Sequence, residues 1–330
     1  MLPLQGLMAI FDTMYESLLS LDNVHINFSE NSMRIVNIIL AFIMFGVALG
    51  LKPEIFKKVF QKPKSLLVGL LSQLVALPFL TFVLVVVFNH FITPMVAMGM
   101  LLVASCPGGN ISNFMTQFSK GNAELSVSLT AVTTTFSPIS TPFNFAFWGG
   151  LYVKVVNSMA QNVLHPLHID IFQMLETVFI LLGIPLVLGI LCTRFLPSLS
   201  KKLQKPMQYL SIFFFFVLVA VSFGNNFSIF IQYIPYIFII VLLHNLLALT
   251  TGYSLGVLFR LPSADKRTLT IETGIQNSGL GLALLFNPTI FPPDTAMGGM
   301  LLITAWWAVW HIVSGLLIAT YWSKKELKNT

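Results

Sequence analysis

Two polar stretches interrupt long apolar runs in this sequence, and their side chains could bind a cation. The first is CPGGNISNFMTQF, residues 106–118, and the second is ETGIQNSGLG, residues 272–281. Carboxylate, amide and hydroxyl oxygens are the ligands that hard cations prefer. Glu272 is the most informative of these side chains, because a carboxylate within an apolar segment costs at least about 2.5–3.5 kcal/mol on membrane-insertion scales. A bound cation could offset this cost, which makes Glu272 the first candidate for a functional residue.

Other polar side chains in apolar surroundings have two interpretations each. Ser126, Thr130, Thr133 and Ser137 follow one another at spacings of four, three and four residues, so their hydroxyls share one face of a helix. These hydroxyls could bind a cation or let two helices approach closely. Packing is the stronger interpretation for Thr133 and Ser137. Gln73, taken alone, could simply bridge two helices.

The Cys and His residues give no sign of a transition-metal site, because they do not occur in pairs at the spacing of zinc or iron ligands. His244 is interpreted as a core histidine. His311 follows three tryptophans in AWWAVWHIVSG and could line a substrate cavity.

The composition indicates that a lipid bilayer is the main solvent of this chain. Hydrophobic residues make up 56% and charged residues 9% of the sequence, whereas soluble domains carry roughly 25% charged residues. Apolar runs of about 20 residues recur without the alternation of barrel strands. We therefore predict an all-α polytopic membrane protein with nine clear transmembrane helices. The predicted spans are residues 33–51, 65–88, 95–118, 121–145, 171–193, 206–224, 233–258, 267–290 and 298–321.

The distribution of positive charge predicts the orientation of these spans. If successive loops alternate sides, all of the 18 Lys and Arg residues except Arg34 and Lys154 fall on one side, which the positive-inside rule makes cytoplasmic. The C-terminus is then cytoplasmic, in a bacterial inner membrane or a plasma membrane. The net charge of +6 follows from this topology, so we expect no nucleic-acid partner; no protein partner is evident.

Residues 4–21 form the weakest part of this map. They are apolar on one face, while Asp12 and Glu16 lie four residues apart on the other. A helix lying on the membrane surface is our first interpretation. The alternative is a tenth span, which would place the N-terminus inside.

The order of the spans suggests an inverted repeat. Four spans of the first half match four of the second half when both are aligned from the end, and each matched pair crosses the membrane in opposite directions. This pattern is typical of secondary transporters, in which paired interrupted helices mark the binding site. Unwound backbone is tolerated in a membrane only when it is buried in protein or lines a wet cavity. The matched pairs are 121–145 with 298–321, 95–118 with 267–290, 65–88 with 233–258, and 33–51 with 206–224.

Three motifs together resemble the bile acid:sodium symporter family. They are CPGG followed by Ser112 and Asn113, then KGNAELSVSLT, and then ETGIQNSGLG. The resemblance runs from about Asn31 to Trp322. It implies a core domain and a panel domain that move against each other in alternating access, with two broken helices crossing in the core. The implied segments are 1–32 (N-terminal amphipathic segment), 33–64 (panel helix and loop), 65–157 (first half of the core), 158–232 (loop and panel helices), 233–322 (second half of the core) and 323–330 (cytoplasmic tail).

The resemblance also implies two sodium sites and a substrate site. The first sodium site would use the side chains of Ser112, Asn113, Ser126, Thr130 and Glu272. The second would use the side chains of Gln73, Glu272 and Gln276 with the backbone carbonyls of Thr273 and Ile275. Substrate would bind near Gly109, Asn110, Asn277 and His311. Asn110 stands where relatives often carry threonine, and Ile312 stands where asparagine is common.

Sodium-coupled symport of an organic anion, such as a bile acid or a small carboxylate, is therefore the first hypothesis. A sodium/proton antiporter that uses Glu272 is the alternative. A membrane-embedded enzyme is a third class, although the sequence contains no HExxH, no GxSxG and no Asp-rich pair. A receptor without transport activity is a fourth.

Overall fold

The computed structural model describes residues 4–24, 30–50, 63–159, 171–224, 227–287, 290–292 and 295–327. Helices make up most of these residues, and the described part of the chain contains no β-strand. The all-α prediction is confirmed, and helices overlap all nine predicted spans. The helices in chain order are α1 (Leu4–Asp22), α2 (Glu30–Leu49), α3 (Pro63–Leu71), α4 (Leu77–Val87), α5 (Pro94–Ser105), α6 (Ile111–Phe118), α7 (Ala123–Met159), α8 (Ile171–Val178), α9 (Ile184–Phe195), α10 (Pro197–Gly224), α11 (Phe227–Leu258), α12 (Ser263–Gly274), α13 (Ser278–Leu285) and α14 (Gly298–Ser323).

Three helical stretches among the described residues are long and apolar enough to cross a membrane. They are Pro63–Val87, Phe230–Leu258 and Gly298–Ser323. The first of them contains α3 and α4, joined by one π-helical turn at Ser72–Ala76. Interrupted helices such as α5, with 12 residues, are too short to span the hydrocarbon alone, because a helix rises about 1.5 Å per residue. The total number of crossings, nine or ten, stays a prediction.

Each interruption has one local signal in the sequence. After α5, Cys106 is extended, with φ −72° and ψ 155°, because the residue before a proline is disfavoured in the helical region. After α12, Ile275 is extended, with φ −113° and ψ 90°. The helix then restarts at Asn277, whose side-chain oxygen accepts a hydrogen bond from the Leu280 N–H at 3.1 Å, as an N-cap residue does. The sequence therefore encodes the end of α5 and the start of α13.

The helices pack in two groups. One group is formed by α2 with α9 and α10. In the other, α11 packs on α12, α5 packs on α14, and α7 contacts α5, α6 and α12. α7 extends to Met159, past the predicted end at residue 145, although Pro138 and Pro142 lie inside it.

The C-terminal end of α1 is docked into the second group. Leu18 and Leu21 are fully buried. The Asp22 Oδ2 accepts a hydrogen bond from the Met95 N–H at 2.9 Å, at the start of α5. The Val24 carbonyl accepts hydrogen bonds from the N–H groups of Met297 and Gly298 at the start of α14. The end of α1 therefore contacts the N-termini of α5 and α14. The side chains of Asp12 and Arg34 lie outside the described part of the structure.

Arg267 holds several chain segments together, a role that its sequence position does not predict. Its guanidinium group is buried and donates to the carbonyls of Ser119 at 2.7 Å and Trp322 at 3.1 Å. Two longer bonds reach the carbonyls of Lys325 and Glu326. The planar, five-donor guanidinium suits this arrangement. Arg267 thus joins α12 to the end of α6 and to the segment that follows α14.

We expect Asp22→Ala to lower the free energy of unfolding by about 1 kcal/mol, because α5 loses the carboxylate that accepts a hydrogen bond at its N-terminus. Thermal unfolding of the purified protein in detergent measures the change. Glu16→Ala, an exposed position on the same helix, is the matched control. Equal stability of the two variants would show that the contact between Asp22 and Met95 contributes nothing.

We expect Arg267→Lys to lower the free energy of unfolding by about 2 kcal/mol, since an ammonium group cannot reach the same set of carbonyls. Arg260→Lys, at an exposed position, is the control for loss of a guanidinium group. Limited proteolysis should also cut the segment after Ser323 faster in Arg267→Lys. An unchanged rate of cleavage would contradict the conclusion that Arg267 holds this segment in place.

Candidate cation-binding site

The two interrupted helices meet at their breaks. Gly108 and Gln276 form an isolated antiparallel bridge. The Gly109 N–H donates to the Ile275 carbonyl at 2.8 Å, and the Asn277 N–H donates to the Pro107 carbonyl at 2.8 Å. Backbone groups freed by one break are thus satisfied by the other, as buried backbone requires.

Two glycines allow close approach where the breaks touch. A Cβ atom on Gly108 would lie 3.1 Å from the Glu272 Oε2 and 3.3 Å from the Gln73 Oε1. A Cβ on Gly109 would lie 3.2 Å from the Gln276 carbonyl oxygen. A side chain at Gly108 would therefore crowd Glu272 and Gln73, and one at Gly109 would crowd the backbone of the second break.

Glu272 lies two residues before the end of α12 and is fully buried. Its Oε1 accepts hydrogen bonds from the Ser112 Oγ at 2.5 Å and from the Ser126 Oγ. Its Oε2 accepts from the Thr130 Oγ1 at 3.1 Å. The hydroxyls come from α6 and α7, so three helices converge on one carboxylate.

Asn113 completes this first cluster. Its Oδ1 is 2.9 Å from the Ser126 Oγ and 3.4 Å from the Thr130 Oγ1. Each hydroxyl carries one proton, so Ser126 and Thr130 cannot donate to Asn113 and Glu272 at the same time. The cluster therefore has more acceptor oxygens than protons to fill them, which favours a cation. All five residues predicted for the first sodium site are in contact.

Of the residues predicted for the second site, Gln73 reaches the same point beside Gly108 as the Glu272 Oε2. Gln73 and Gln276 are buried, and Gln73 Oε1, Gln73 Nε2 and Gln276 Oε1 have no hydrogen-bond partner among the described residues. A buried polar atom left unpaired costs about 1–3 kcal/mol. The two amide oxygens are therefore well suited to a ligand.

The two predicted carbonyl ligands already accept hydrogen bonds within the protein. The Thr273 carbonyl accepts from the Gln276 Nε2 at 2.8 Å, and the Ile275 carbonyl accepts from Gly109, as described above. A carbonyl oxygen has two lone pairs, so each retains one for a cation.

Further side chains hold the end of α12 in place, and their contacts were not predicted from the sequence. The Asn245 Nδ2 donates to the Gly274 carbonyl at 2.8 Å, and the Ser314 Oγ donates to the Asn245 Oδ1 at 2.6 Å. The Ser72 and Thr273 hydroxyls are hydrogen-bonded to each other at 2.7 Å. The available signal was a polar residue inside an apolar run, which Asn245 and Ser72 both show, but the partner of such a residue cannot be read from one sequence.

The predicted substrate residues lie around the same breaks. Gly109 is buried in the first break, Asn110 next to it is exposed, and Asn277 is partly exposed in the second. His311 on α14 is buried, and its Nδ1 has no hydrogen-bond partner among the described residues. Gly315, one turn after His311 on the same face, contacts Ile275, because a Cβ there would lie 2.6 Å from the Ile275 Cδ1. α14 therefore passes beside the second break at Gly315, one turn after His311.

Two other side chains have structural explanations. The His244 Nε2 is 2.9 Å from the Thr81 Oγ1, and the His244 ring packs against Trp307, in agreement with a core histidine. The Thr133 Oγ1 donates to the Leu129 carbonyl of its own helix. In the described ranges, no group of three or more His, Cys, Asp and Glu side chains could hold a metal ion.

The chain resembles proteins of known family along most of its length. Residues 37–233 match the Sodium Bile acid symporter family. A Bacillus subtilis (strain 168) protein named "Uncharacterized sodium-dependent transporter YocS" is 31% identical over 294 residues, which cover 89% of this chain and 84% of that protein.

Two eukaryotic relatives are longer than this chain. The rice (Oryza sativa subsp. japonica) "Probable sodium/metabolite cotransporter BASS2, chloroplastic" is 27% identical over 277 residues, 81% of this chain and 62% of that protein. The mouse (Mus musculus) "P3 protein" is 30% identical over 272 residues, 78% of this chain but 52% of that protein, so the match spans about half of its length. On the family match and the bacterial relative, the chain belongs to the sodium bile acid symporter family.

Proposed function

We propose that the protein is a sodium-coupled symporter of an organic anion, and that Glu272 is a shared ligand of two sodium ions. The observation that carries this proposal is the fully buried Glu272 carboxylate at the meeting point of two broken helices. Among the described residues, none of its contacts comes from a Lys or Arg side chain. Membership in a symporter family makes the protein a transporter and excludes the membrane-enzyme alternative.

The proposed first sodium ion binds the oxygen-rich cluster that Glu272 forms with Asn113 and the three hydroxyls. The proposed second ion binds Glu272 together with the unpaired glutamine oxygens. Both sets consist entirely of oxygen ligands, which hard cations require. The ligands of the first are the side chains of Ser112, Asn113, Ser126, Thr130 and Glu272, and those of the second are the side chains of Gln73, Glu272 and Gln276 with the carbonyls of Thr273 and Ile275.

The proposed substrate is an organic anion such as a bile acid or a small carboxylate. α6 and α13 both begin at the breaks, so the positive ends of their helix dipoles lie at the crossing. The Asn277 Oδ1 caps α13, which leaves its Nδ2 to donate to an anion. Gly109, Asn110 and His311 complete the proposed substrate surface.

Charge gives a physical reason for coupling sodium to the anion. Without sodium, the negative Glu272 would repel an anion near the breaks, whereas two bound sodium ions reverse the sign of the local charge. Sodium therefore strengthens anion binding, and by linkage the anion strengthens sodium binding to the same extent.

The packing of the helices supports alternating access between a core and a panel. α2, α9 and α10 form the proposed panel, and the helices around the two breaks form the proposed core, in segments 65–157 and 233–322. The two breaks occupy matching places in the proposed inverted repeat, as in other secondary transporters. The basic loops and the C-terminus face the cytoplasm in this proposal.

We expect Glu272→Gln to weaken sodium binding at least tenfold, equivalent to about 1.4 kcal/mol, because both proposed sites lose their only formal charge. The purified protein is titrated with NaCl against KCl at constant ionic strength, and its thermal stability is followed, since a ligand that binds the folded state stabilises it. Glu176→Gln, an exposed carboxylate on α8, is the matched control.

A screen of organic anions in the same assay, with and without sodium, identifies the cargo class. Stabilisation by an anion only when sodium is present supports symport. An unchanged sodium titration in Glu272→Gln would overturn the ion-site assignment. Proton release on addition of sodium to the purified protein would instead support the antiporter.

A further inference from the structure

A π-helical turn carries Gln73 into the candidate site. The turn spans Ser72–Ala76 and interrupts the helical run between α3 and α4. Within it, the Leu77 N–H donates to the Ser72 carbonyl, five residues back rather than the usual four. Ser72 and Gln73 are adjacent in sequence, yet both are buried among the core helices. The extra residue in the turn allows both side chains to face inward.

Pro78 provides a local cause for this turn. It has no N–H and therefore cannot donate to the Leu74 carbonyl, and a proline ring clashes with the carbonyl four residues before it. The chain contains a second instance of the same pattern. A π-turn also spans Phe179–Gly183, where the Ile184 N–H donates to the Phe179 carbonyl. Pro185 lies two residues after the end of this turn, as Pro78 lies two residues after Ala76.

Asn144, on α7, supplies a donor to the Leu74 carbonyl. Its Nδ2 donates to this oxygen at 3.1 Å, and the Asn144 side chain is largely buried. At the start of the turn, the Ser72 hydroxyl is hydrogen-bonded to the Thr273 hydroxyl on α12, next to Glu272. The π-turn is therefore anchored at two points, one on each neighbouring helix, with Gln73 between them.

We propose that Asn144 is a positioning residue for Gln73 in the second sodium site. It acts through the Leu74 carbonyl, which lacks its helical donor because Pro78 has no N–H. This inference rests on the proposed function. Without Asn144, the Leu74 carbonyl would be buried with one hydrogen bond fewer and would shift toward another donor. Because Gln73 is the residue before Leu74, this shift would move the Gln73 side chain out of its position in the site. Glu272, Gln276 and the first sodium site would stay in place.

The test is a sodium titration of the full-length protein carrying Asn144→Leu, which removes the donor with little change in side-chain size. Thermal stability in NaCl against KCl at constant ionic strength is the readout, because it requires no knowledge of the substrate. We expect the half-saturating sodium concentration to rise about three- to tenfold, the range that loss of one hydrogen bond produces. The steepness of the titration should also fall, since one of two ions is affected. Pro185→Ala, which removes the proline after the other π-turn, should leave both quantities unchanged.

The double variant Asn144→Leu with Pro78→Ala separates positioning from simple stability. An alanine in place of Pro78 has an N–H that can donate to the Leu74 carbonyl in an ordinary α-helix, so stability in KCl should recover. Sodium binding should stay weak, because an α-helical turn does not place Gln73 in the site. This double variant also provides the test should Asn144→Leu alone fold poorly.

The outcomes distinguish this inference from the function on which it rests. A sodium titration of Asn144→Leu that matches the wild type, with lower stability in KCl alone, would overturn the inference and leave Asn144 a purely structural residue. Recovery of wild-type sodium binding in the double variant would overturn it as well. A wild-type protein without any response to sodium would overturn the proposed function itself, whereas a response lost in Glu272→Gln and only weakened in Asn144→Leu supports both.

Discussion

The burial of one carboxylate among apolar helices is the constraint on which the rest of this structure depends. Glu272 has hydroxyl partners, and the Gln73 amide oxygen, which also lies beside Gly108, is unpaired. A buried charge is tolerated only when it is paired and hydrogen-bonded, and hydroxyl groups do not neutralise it. The proposed sodium ions would neutralise the carboxylate. The arrangement of helices that buries Glu272 is therefore also the one that binds sodium.

Broken helices solve a second problem, because they place unpaired backbone groups in an environment without water. In this protein the two breaks satisfy each other through reciprocal hydrogen bonds. Asn245 donates a hydrogen bond to the Gly274 carbonyl, and Arg267 donates to carbonyls at the ends of two other helices. The polar residues of the core thus divide into those that could bind an ion and those that complete the backbone.

The sequence predicted the positions of the helices and both breaks, because apolar runs, CPGG and the ETG–QNSG stretch are local signals. Ser126 and Thr130 were candidate ligands from their spacing on one helix face. Gln73 was grouped with Glu272 only through the family resemblance, since nothing local relates residue 73 to residue 272. The contacts of Asn245 and Asn144 were not predicted. Each depends on which carbonyl a helix irregularity leaves free, and the π-turn at Ser72–Ala76 has no signal except Pro78. Asp22 was likewise missed, because its partner at Met95 is distant in sequence.

The contact between Arg267 and the segment after α14 has a practical consequence for observing motion. Trp322, Lys325 and Glu326 give their carbonyls to a side chain five residues before Glu272 on the same helix. A fluorophore attached just beyond Glu326 would therefore report on the segment that Arg267 ties to α12. Paired with a second dye on α10, such a label would measure the distance between the two helix groups with and without sodium.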